Sequence, residues 1–381
     1  MDLSLSDEQQ QIADSAATFL QEASAMPAVR AASESASGLD SELWRGIAEL
    51  GWGGVHLPES AGGLGLGMVE LVLLQEQLGR QLACVPFFDS VALAATVLRE
   101  LPGSALAQDW LESLATGEKV GALALTAEAA SPVAAVHVRA QRTDTGWTLD
   151  GEWPQVGSAA LADVLLLPAQ GESGESLLFA VPAGATGLQV QPLKTLDTTR
   201  RLAQVQCRAV NLPVENCIGQ GESLDAVLAR TLQLGAIALA AEQVGVAQQC
   251  LDLTLAYAAQ RVQFDKPIAG FQAVKHRCAQ MLVALESARS AVYGAACIAD
   301  TTPDAATLLF HAAQARVAAT EAAQFCAREA IQLHGGVGFT WEFDPHLYLR
   351  RAQASSQRLG TPAWWLEQVA EQLLDTPEET V

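Results

Sequence analysis

Two segments of the chain combine residue types that can hold a nucleotide with a diphosphate. The first runs from Arg261 to Gln272 and joins the end of one predicted helix to the start of the next. Arg261 offers a forked cation for a diphosphate, and Phe264 offers an apolar face for an adenine. The plainer alternative is that Arg261 caps a helix C-terminus and Phe264 belongs to the core. Taken alone, the segment favours that alternative.

The second segment, residues 332–340 (QLHGGVGFT), ends a long Ala-rich helical pattern. The pair Gly335-Gly336 lets the backbone approach a ligand closely, because neither residue has a side chain. An ordinary glycine C-cap is the common alternative. The sequence therefore predicts either a ligand-contacting helix end or a simple helix stop.

Glu242 is the carboxylate that stands out as a candidate general base. It lies among small apolar residues (AAEQVG, 240–245) on a predicted helix. A carboxyl group in an apolar pocket has a raised pKa, which suits proton abstraction, and an unpaired buried carboxylate is costly. Two interpretations stay open: Glu242 is the base, or it is paired with an arginine or faces solvent.

The segments 261–272 and 332–340, with a glycine-rich stretch at 51–67, resemble the acyl-CoA dehydrogenase family, over almost the whole chain and in the family's order. The resemblance implies FAD as cofactor, no metal, and dehydrogenation of an acyl-CoA thioester to the 2-enoyl-CoA, as in lipid catabolism. An electron-transfer flavoprotein would accept the electrons, and the assembly would be a homodimer, a homotetramer or an α2β2 hetero-tetramer. The implied FAD contacts, several of them to the FAD of a neighbouring subunit, are Thr126, Arg261, Phe264, Gln272, Gln332, Gly335, Gly336 and Thr361.

The chain departs from the family where the base should be. Many members carry Tyr-Glu-Gly-Thr, with the Glu as base, where this chain has Arg358-Leu359-Gly360-Thr361. Others place the Glu at a position that aligns with Gly235. Neither Leu359 nor Gly235 can take a proton.

Flavin contacts within the middle segment are also in doubt. The family's glycines after Thr126 are missing from residues 127–132. Gln155 stands where the family has a Trp, and Trp153 lies two residues early. Three hypotheses follow: a dehydrogenase with Glu242 as base, a non-catalytic subunit that completes a partner's FAD site, or a helical scaffold without nucleotide binding.

The patterns of apolar residues and turn signals around these motifs predict an α+β, mostly helical fold. An N-terminal helical domain covers 1–118, a β-barrel or sandwich domain covers 119–225, and a C-terminal four-helix bundle covers 226–381. Apolar residues at i, i+3, i+4 and i+7 predict long helices at 226–260, 271–299, 303–334 and 345–373. Asp144-Thr145-Gly146 predicts a hairpin between two strands.

The composition excludes some classes of binding partner. A net charge of −21 argues against nucleic acid, whose binders present basic faces. The sequence contains no uninterrupted apolar run of about 18 residues, so we expect no membrane span. Residues 1–8 do not resemble a secretory signal. The seven cysteines form no Cys-x-x-Cys pair, which favours reduced thiols in a cytoplasmic protein.

Overall fold

A computed structural model of the chain describes residues 4–101, 103–125, 138–301 and 303–374. These residues form two compact units. The first unit combines the segment up to Val29 with Met68–Ala83 and the chain from Ala236 onward, and the second combines Arg30–Gly67 with Cys84–Gly235. The predicted domain boundaries near residues 118 and 225 remain predictions.

Helices build most of the first unit and flank the sheet-forming residues of the second. Residues Phe88–Ala95 form a π-helical turn that continues directly into α5. In chain order the helices are α1 (Asp7–Ala23), α2 (Met26–Glu34), α3 (Ser41–Glu49), α4 (Met68–Arg80), α5 (Thr96–Arg99), α6 (Ala105–Ala115), α7 (Gly221–Gln260), α8 (Gln272–Ala299), α9 (Ala305–His334), α10 (Pro345–Gln357) and α11 (Pro362–Leu374).

Local chemistry explains where several helices start and stop. Ser6 and Gln9 form a reciprocal capping box at the start of α1. Asp304 caps α9 by accepting a hydrogen bond from the Thr307 N–H at 2.8 Å. The helix predicted over 345–373 is wrong as a single element, because the chain breaks it at Arg358–Thr361. Gly360 has a φ of +93° there, and Pro362 opens α11.

Two glycines let α4 and α7 cross at close range in the first unit. A Cβ on Gly79 would lie 2.2 Å from the carbonyl oxygen of Glu242, and a Cβ on Gly245 would lie 1.9 Å from the carbonyl oxygen of Glu76. Any side chain at either position would force the helices apart. At this crossing, the small residues of α7 therefore serve tight helix packing.

A mainly antiparallel sheet forms the core of the second unit. Its order is β6-β7-β3-β2-β4-β5-β8, and β1 pairs in parallel with β4. The predicted hairpin is confirmed, since β2 and β3 pair in antiparallel fashion around Asp144-Thr145-Gly146. The strands are β1 (Gly121–Leu123), β2 (Arg139–Arg142), β3 (Gly146–Gly157), β4 (Val164–Gln170), β5 (Ser176–Pro182), β6 (Leu188–Pro192), β7 (Leu202–Pro213) and β8 (Cys217–Gln220).

Helical segments with a middle sheet confirm the predicted fold class. Two helices, α7 and α8, are nonetheless long and apolar enough to pass a simple test for a membrane span. In α7, 72% of the apolar window is buried within the protein, as in the core helix of a globular fold. In α8 the buried share is 33%, so much of that window lies at the surface of the single chain.

Candidate functional site

Glu242 is buried in an ion pair within the first unit. Arg351 on α10 places Nη1 3.5 Å from Oε1 of Glu242, and each side chain is only 3% exposed. Ser355, one turn further along α10, donates its hydroxyl to the same oxygen at 3.2 Å. Gln75 on α4 donates Nε2 to the other carboxylate oxygen at 3.2 Å. These contacts are those of the paired glutamate that the sequence left open as the alternative.

Such a carboxylate is poorly placed to act as a base. A general base must come within hydrogen-bond reach of the proton that it removes. Glu242 already holds a guanidinium, a hydroxyl and an amide, and almost none of its surface is accessible. An acyl-CoA α-proton could reach it only after this cluster opened.

The turn between α10 and α11 places leucine where the resemblance implies the base. Leu359 is 5% exposed and has a φ of +52°. Its carbonyl oxygen accepts a hydrogen bond from Nε1 of Trp365 at 2.9 Å, which ties the turn to α11. The side chain is a hydrocarbon, so this turn supplies no proton acceptor in the family's position.

Arg316 on α9 donates hydrogen bonds to the backbone of the same turn, and the sequence did not single it out. Its side chain is 0% exposed. Nη2 donates to the carbonyl oxygens of Ser355 at 2.6 Å and Arg358 at 2.8 Å, and Nη1 donates to Oε1 of Gln243 at 2.7 Å. A cation at the end of α10 satisfies free carbonyls and complements the helix dipole. An arginine flanked by alanine and valine in an Ala-rich helical pattern was the available signal.

The first predicted cofactor segment folds into a small hairpin after α7. Val262–Gln263 pairs with Lys266–Pro267, and we label these strands β9 and β10. Phe264 and Asp265 form the tip, with φ of +52° and +62°, a conformation that L-residues adopt at a cost. Phe264 is 86% exposed, so its assignment to the core is wrong. An aromatic ring presented this way is suited to a contact outside the chain.

This hairpin begins a basic patch in an otherwise acidic chain. Residues 261–277 carry four Lys and Arg side chains but Asp265 as their sole carboxylate. Arg261 and Gln272 are both exposed. Within the described chain, the guanidinium of Arg261 has no hydrogen-bond or ion-pair partner. Arg277 is paired with Glu329 at 3.1 Å, so the other three cations of the patch supply the positive charge that would suit an anionic ligand.

The second predicted segment ends α9 with exposed backbone. Gln332, Gly335 and Gly336 are all exposed. Gly335 has a φ of +65° and a ψ of −143°, a conformation that favours glycine. At Gly336 an added Cβ would meet nothing within 4 Å, and its φ is not positive. The chain alone thus has no steric need for glycine at 336, whereas the close approach of a ligand would require it.

The two segments lie at the same end of the first unit. Tyr257, in the last turn of α7, stacks on His334, the last residue of α9, with ring centroids 4.3 Å apart and planes at 22°. Phe264 at the hairpin tip packs edge-on against Phe271, with centroids 6.1 Å apart. Phe271 directly precedes Gln272, so the structure brings Arg261, Phe264, Gln272, Gln332, Gly335 and Gly336 to one end of the helical unit. We call these six residues the cofactor surface.

One predicted cofactor residue, Thr361, does not belong to this surface. Thr361 caps α11 by accepting the Trp364 N–H at 3.2 Å, in the turn that Arg316 holds. Along α9, Arg316 and Gln332 are about 24 Å apart at 1.5 Å per residue. Thr361 therefore sits well away from the cofactor surface. Thr126 lies outside the described residues.

The sheet of the second unit does not restore the missing aromatic. Trp153 is 2% exposed and belongs to the hydrophobic core of the sheet. Gln155, at the position where the family carries its Trp, is exposed. Trp153 therefore fills the core and does not substitute for the missing flavin-contacting ring.

A second buried carboxylate, which the sequence did not single out, is equally engaged. Glu76 on α4 lies 3.2 Å from Nη2 of Arg289, and the Tyr293 hydroxyl donates to it at 2.9 Å. Burial raises the pKa of Glu76, while Arg289 and Tyr293 act in the opposite direction. Burial and the adjacent Glu76 raise the pKa of Tyr293. The cluster joins α4 to α8 and has the contacts of a structural ion pair.

The cofactor surface fits the adenine and diphosphate of FAD. A free guanidinium and further basic side chains suit a diphosphate, the exposed ring of Phe264 suits an adenine, and Gly336 permits close backbone approach. No group of three or more His, Cys, Asp or Glu that could hold a metal ion occurs among the described residues.

Two family models match the chain. The model described as acyl-CoA dehydrogenase, N-terminal domain, matches residues 6–118. The model described as acyl-CoA dehydrogenase, C-terminal domain, matches residues 225–374.

Similar proteins match this chain over nearly the full length of both partners in each comparison. The acyl-CoA dehydrogenase IpdE2 of Mycobacterium tuberculosis is 34% identical over 372 residues, which cover 97% of this chain and 99% of that protein. A chain of the Mycobacterium tuberculosis ChsE4-ChsE5 complex superposes with a TM-score of 0.89 at 29% identity, covering 99% of this chain and 100% of that one. A variant of the Tcur3481-Tcur3483 steroid ACAD superposes with a TM-score of 0.86 at 31% identity, covering 97% and 98%.

Proposed function

Because the chain belongs to the acyl-CoA dehydrogenase family of FAD-dependent oxidoreductases, we propose that it is the subunit without a base in a hetero-oligomeric acyl-CoA dehydrogenase. In that assembly it completes the FAD site of a partner subunit, which supplies the catalytic carboxylate. The assembly oxidises an acyl-CoA thioester to the 2-enoyl-CoA, and an electron-transfer flavoprotein takes the electrons. One observation carries the proposal: the buried ion pair between Glu242 and Arg351 occupies this chain's own candidate base.

The division of labour follows from the chemistry of the reaction. FAD, when bound, would supply the acceptor for the hydride from the β-carbon, and a carboxylate would have to take the α-proton. Leu359 cannot take that proton, and Glu242 is closed off. Arg261 and the backbone at Gly335-Gly336 would hold the diphosphate of FAD, and Phe264 would contact the adenine. This chain therefore contributes cofactor binding, and the partner contributes proton abstraction.

Two solved structures similar to this chain are named as pairs of proteins, ChsE4-ChsE5 and Tcur3481-Tcur3483. The second is called a steroid ACAD. These names support a two-component assembly and make steroid acyl-CoA thioesters the first substrates to test. All seven cysteines are free thiols, which supports a reducing compartment, and we propose the cytoplasm.

The test is to purify the chain alone and after co-expression with each acyl-CoA dehydrogenase chain of its own genome that carries the family's glutamate. Flavin absorbance after gel filtration shows where FAD binds. We expect no stoichiometric FAD on the chain alone, and a yellow complex with one partner that a steroid or other acyl-CoA bleaches.

Two outcomes contradict the proposal. If the chain alone forms a flavin-bound oligomer that acyl-CoA thioesters bleach, it is a complete enzyme with its own base. If the chain stays colourless with every partner, it is a helical scaffold that has lost nucleotide binding.

A further inference from the structure

We propose that the stack of Tyr257 on His334 is a positioning device that joins the two segments of the cofactor surface into one binding site. The inference rests on the proposed function, because it concerns the same FAD-contacting surface. Neither ring needs to touch the cofactor. Tyr257 and His334 act through the residues that follow them, Arg261 in one segment and Gly335-Gly336 in the other.

The stack joins the C-terminal ends of α7 and α9, and further contacts hold both rings in place. The rings of Tyr257 and His334 lie 4.3 Å apart at 22°, and Phe343 meets them edge-on, at 6.1 Å from Tyr257 and 6.3 Å from His334. Nδ1 of His334 lies 2.7 Å from the carbonyl oxygen of Ala330. A carbonyl oxygen only accepts, so Nδ1 carries the proton and donates. This bond fixes the rotation of the imidazole, and the stack fixes Tyr257 against it.

Each ring is coupled to its segment by the backbone. The carbonyl oxygen of Tyr257 accepts the N–H of Arg261 at 2.9 Å, so a shift of Tyr257 moves the start of the hairpin. His334 is the last residue of α9, and the N–H of Gly335 donates back to Gln332 and Ile331. A shift of His334 therefore moves the glycine pair. The two segments are far apart in sequence, and this stack joins them at the end of the unit.

The hydroxyl of Tyr257 plays no visible part in this coupling. Within the described part of the chain no hydrogen bond to it is found, and the residue is half-buried. Tyr257→Phe therefore keeps the ring contacts and removes only the hydroxyl. Tyr257→Leu and Tyr257→Ala remove the stack. These substitutions separate ring stacking from every other property of the residue.

The first readout needs neither partner nor flavin. Amide hydrogen exchange in the purified chain reports the order of residues 261–270 and 335–340 separately. We expect Tyr257→Ala, and Tyr257→Leu if the alanine variant fails to fold, to speed exchange in both segments by about threefold or more. Tyr257→Phe should leave both unchanged. The control is Val292→Ala in α8, a fully buried core position that lowers the melting temperature without touching the stack.

The second readout is the dissociation constant of FAD from the complex with the partner subunit. The proposal expects Tyr257→Leu to weaken FAD binding by about threefold to tenfold, while Tyr257→Phe and Val292→Ala stay near the wild-type value. It is overturned if only one segment changes its exchange rate in Tyr257→Leu, or if Val292→Ala produces the same changes. If both segments respond together but the wild-type chain adds nothing to the partner's FAD affinity, the coupling stands and the proposed function falls.

Discussion

Arg351 and Glu242 form an ion pair of 3.5 Å in which each side chain is 3% exposed. The pair links α10 to α7, and Gln75 extends it to α4. The location of this pair matters for the function, because Glu242 is the carboxylate that the sequence offered as a base. A glutamate that neutralises a buried arginine is part of the fold.

Breaking this pair from one side should cost more than removing both charges. We expect Arg351→Leu to lower the free energy of unfolding by about 3 kcal/mol or more, because Glu242 loses its cation in a dry site. The double variant Arg351→Leu with Glu242→Leu should recover much of that loss, since two apolar side chains need no counter-charge. Urea unfolding of the wild type, both single variants and the double variant measures the coupling. Strictly additive losses would show that the two residues do not depend on each other.

Gly336 and Gly79 should respond to the same substitution in opposite ways. Gly336→Ala should leave the melting temperature unchanged, because its Cβ would meet nothing within 4 Å, but should weaken FAD binding in the complex by about tenfold. Gly79→Ala should destabilise the fold, because its Cβ would lie 2.2 Å from the carbonyl oxygen of Glu242. Thermal unfolding and FAD titration of both variants provide the comparison. An unchanged FAD affinity in Gly336→Ala would argue against a cofactor at this helix end.

His56 should make the fold sensitive to mild acid. Its Nε2 lies 2.9 Å from the Thr96 hydroxyl, and burial, with a smaller contribution from Arg99, lowers its pKa to about 3. Below pH 6.5 the unfolded chain takes up a proton at this histidine while the folded chain does not, so stability falls with pH until the folded pKa is reached. From pH 7 to pH 5 this group should remove about 2 kcal/mol of stability.

The check on His56 is urea unfolding at both pH values for the wild type and His56→Gln. Glutamine cannot take up a proton, so the variant should lose about 2 kcal/mol less between pH 7 and pH 5. Parallel losses in the two proteins would mean that His56 is accessible to protons in the folded state.

Periodicity and motifs predicted the long helices and the residues that form the cofactor surface. Helices α8 and α9 begin and end within two residues of their predicted limits. The break at Arg358–Thr361 was missed because the helical pattern resumes after Gly360 with nearly the same apolar spacing. Strands β6 and β8 were missed because their short, partly polar stretches carry little signal. Strand β7 was also missed, although its 12 residues alternate buried and less buried positions over much of their length.

The sequence did not show which residues pair across long separations in the chain. Glu242 and Arg351 are distant along the chain, and nothing local to either residue names its partner. The same holds for Arg316, whose acceptors are backbone carbonyls that no residue type reveals. The exposure of Phe264 was likewise undecided, because an aromatic between two helices is more often core. The sequence therefore singled out residues that the structure brings together at the surface, but it did not show which charges are neutralised inside.

The central claim is that Glu242 is not the base of the reaction. It is tested most directly by the rate at which an acyl-CoA bleaches the flavin of the hetero-oligomeric complex, with wild-type chain and with Glu242→Gln. We expect the variant complex to keep its FAD and to bleach at a rate within about threefold of the wild type, whereas loss of a general base slows a reaction by about 100-fold or more. A variant complex that retains FAD but loses bleaching by that larger factor would contradict the account and identify Glu242 as the catalytic residue.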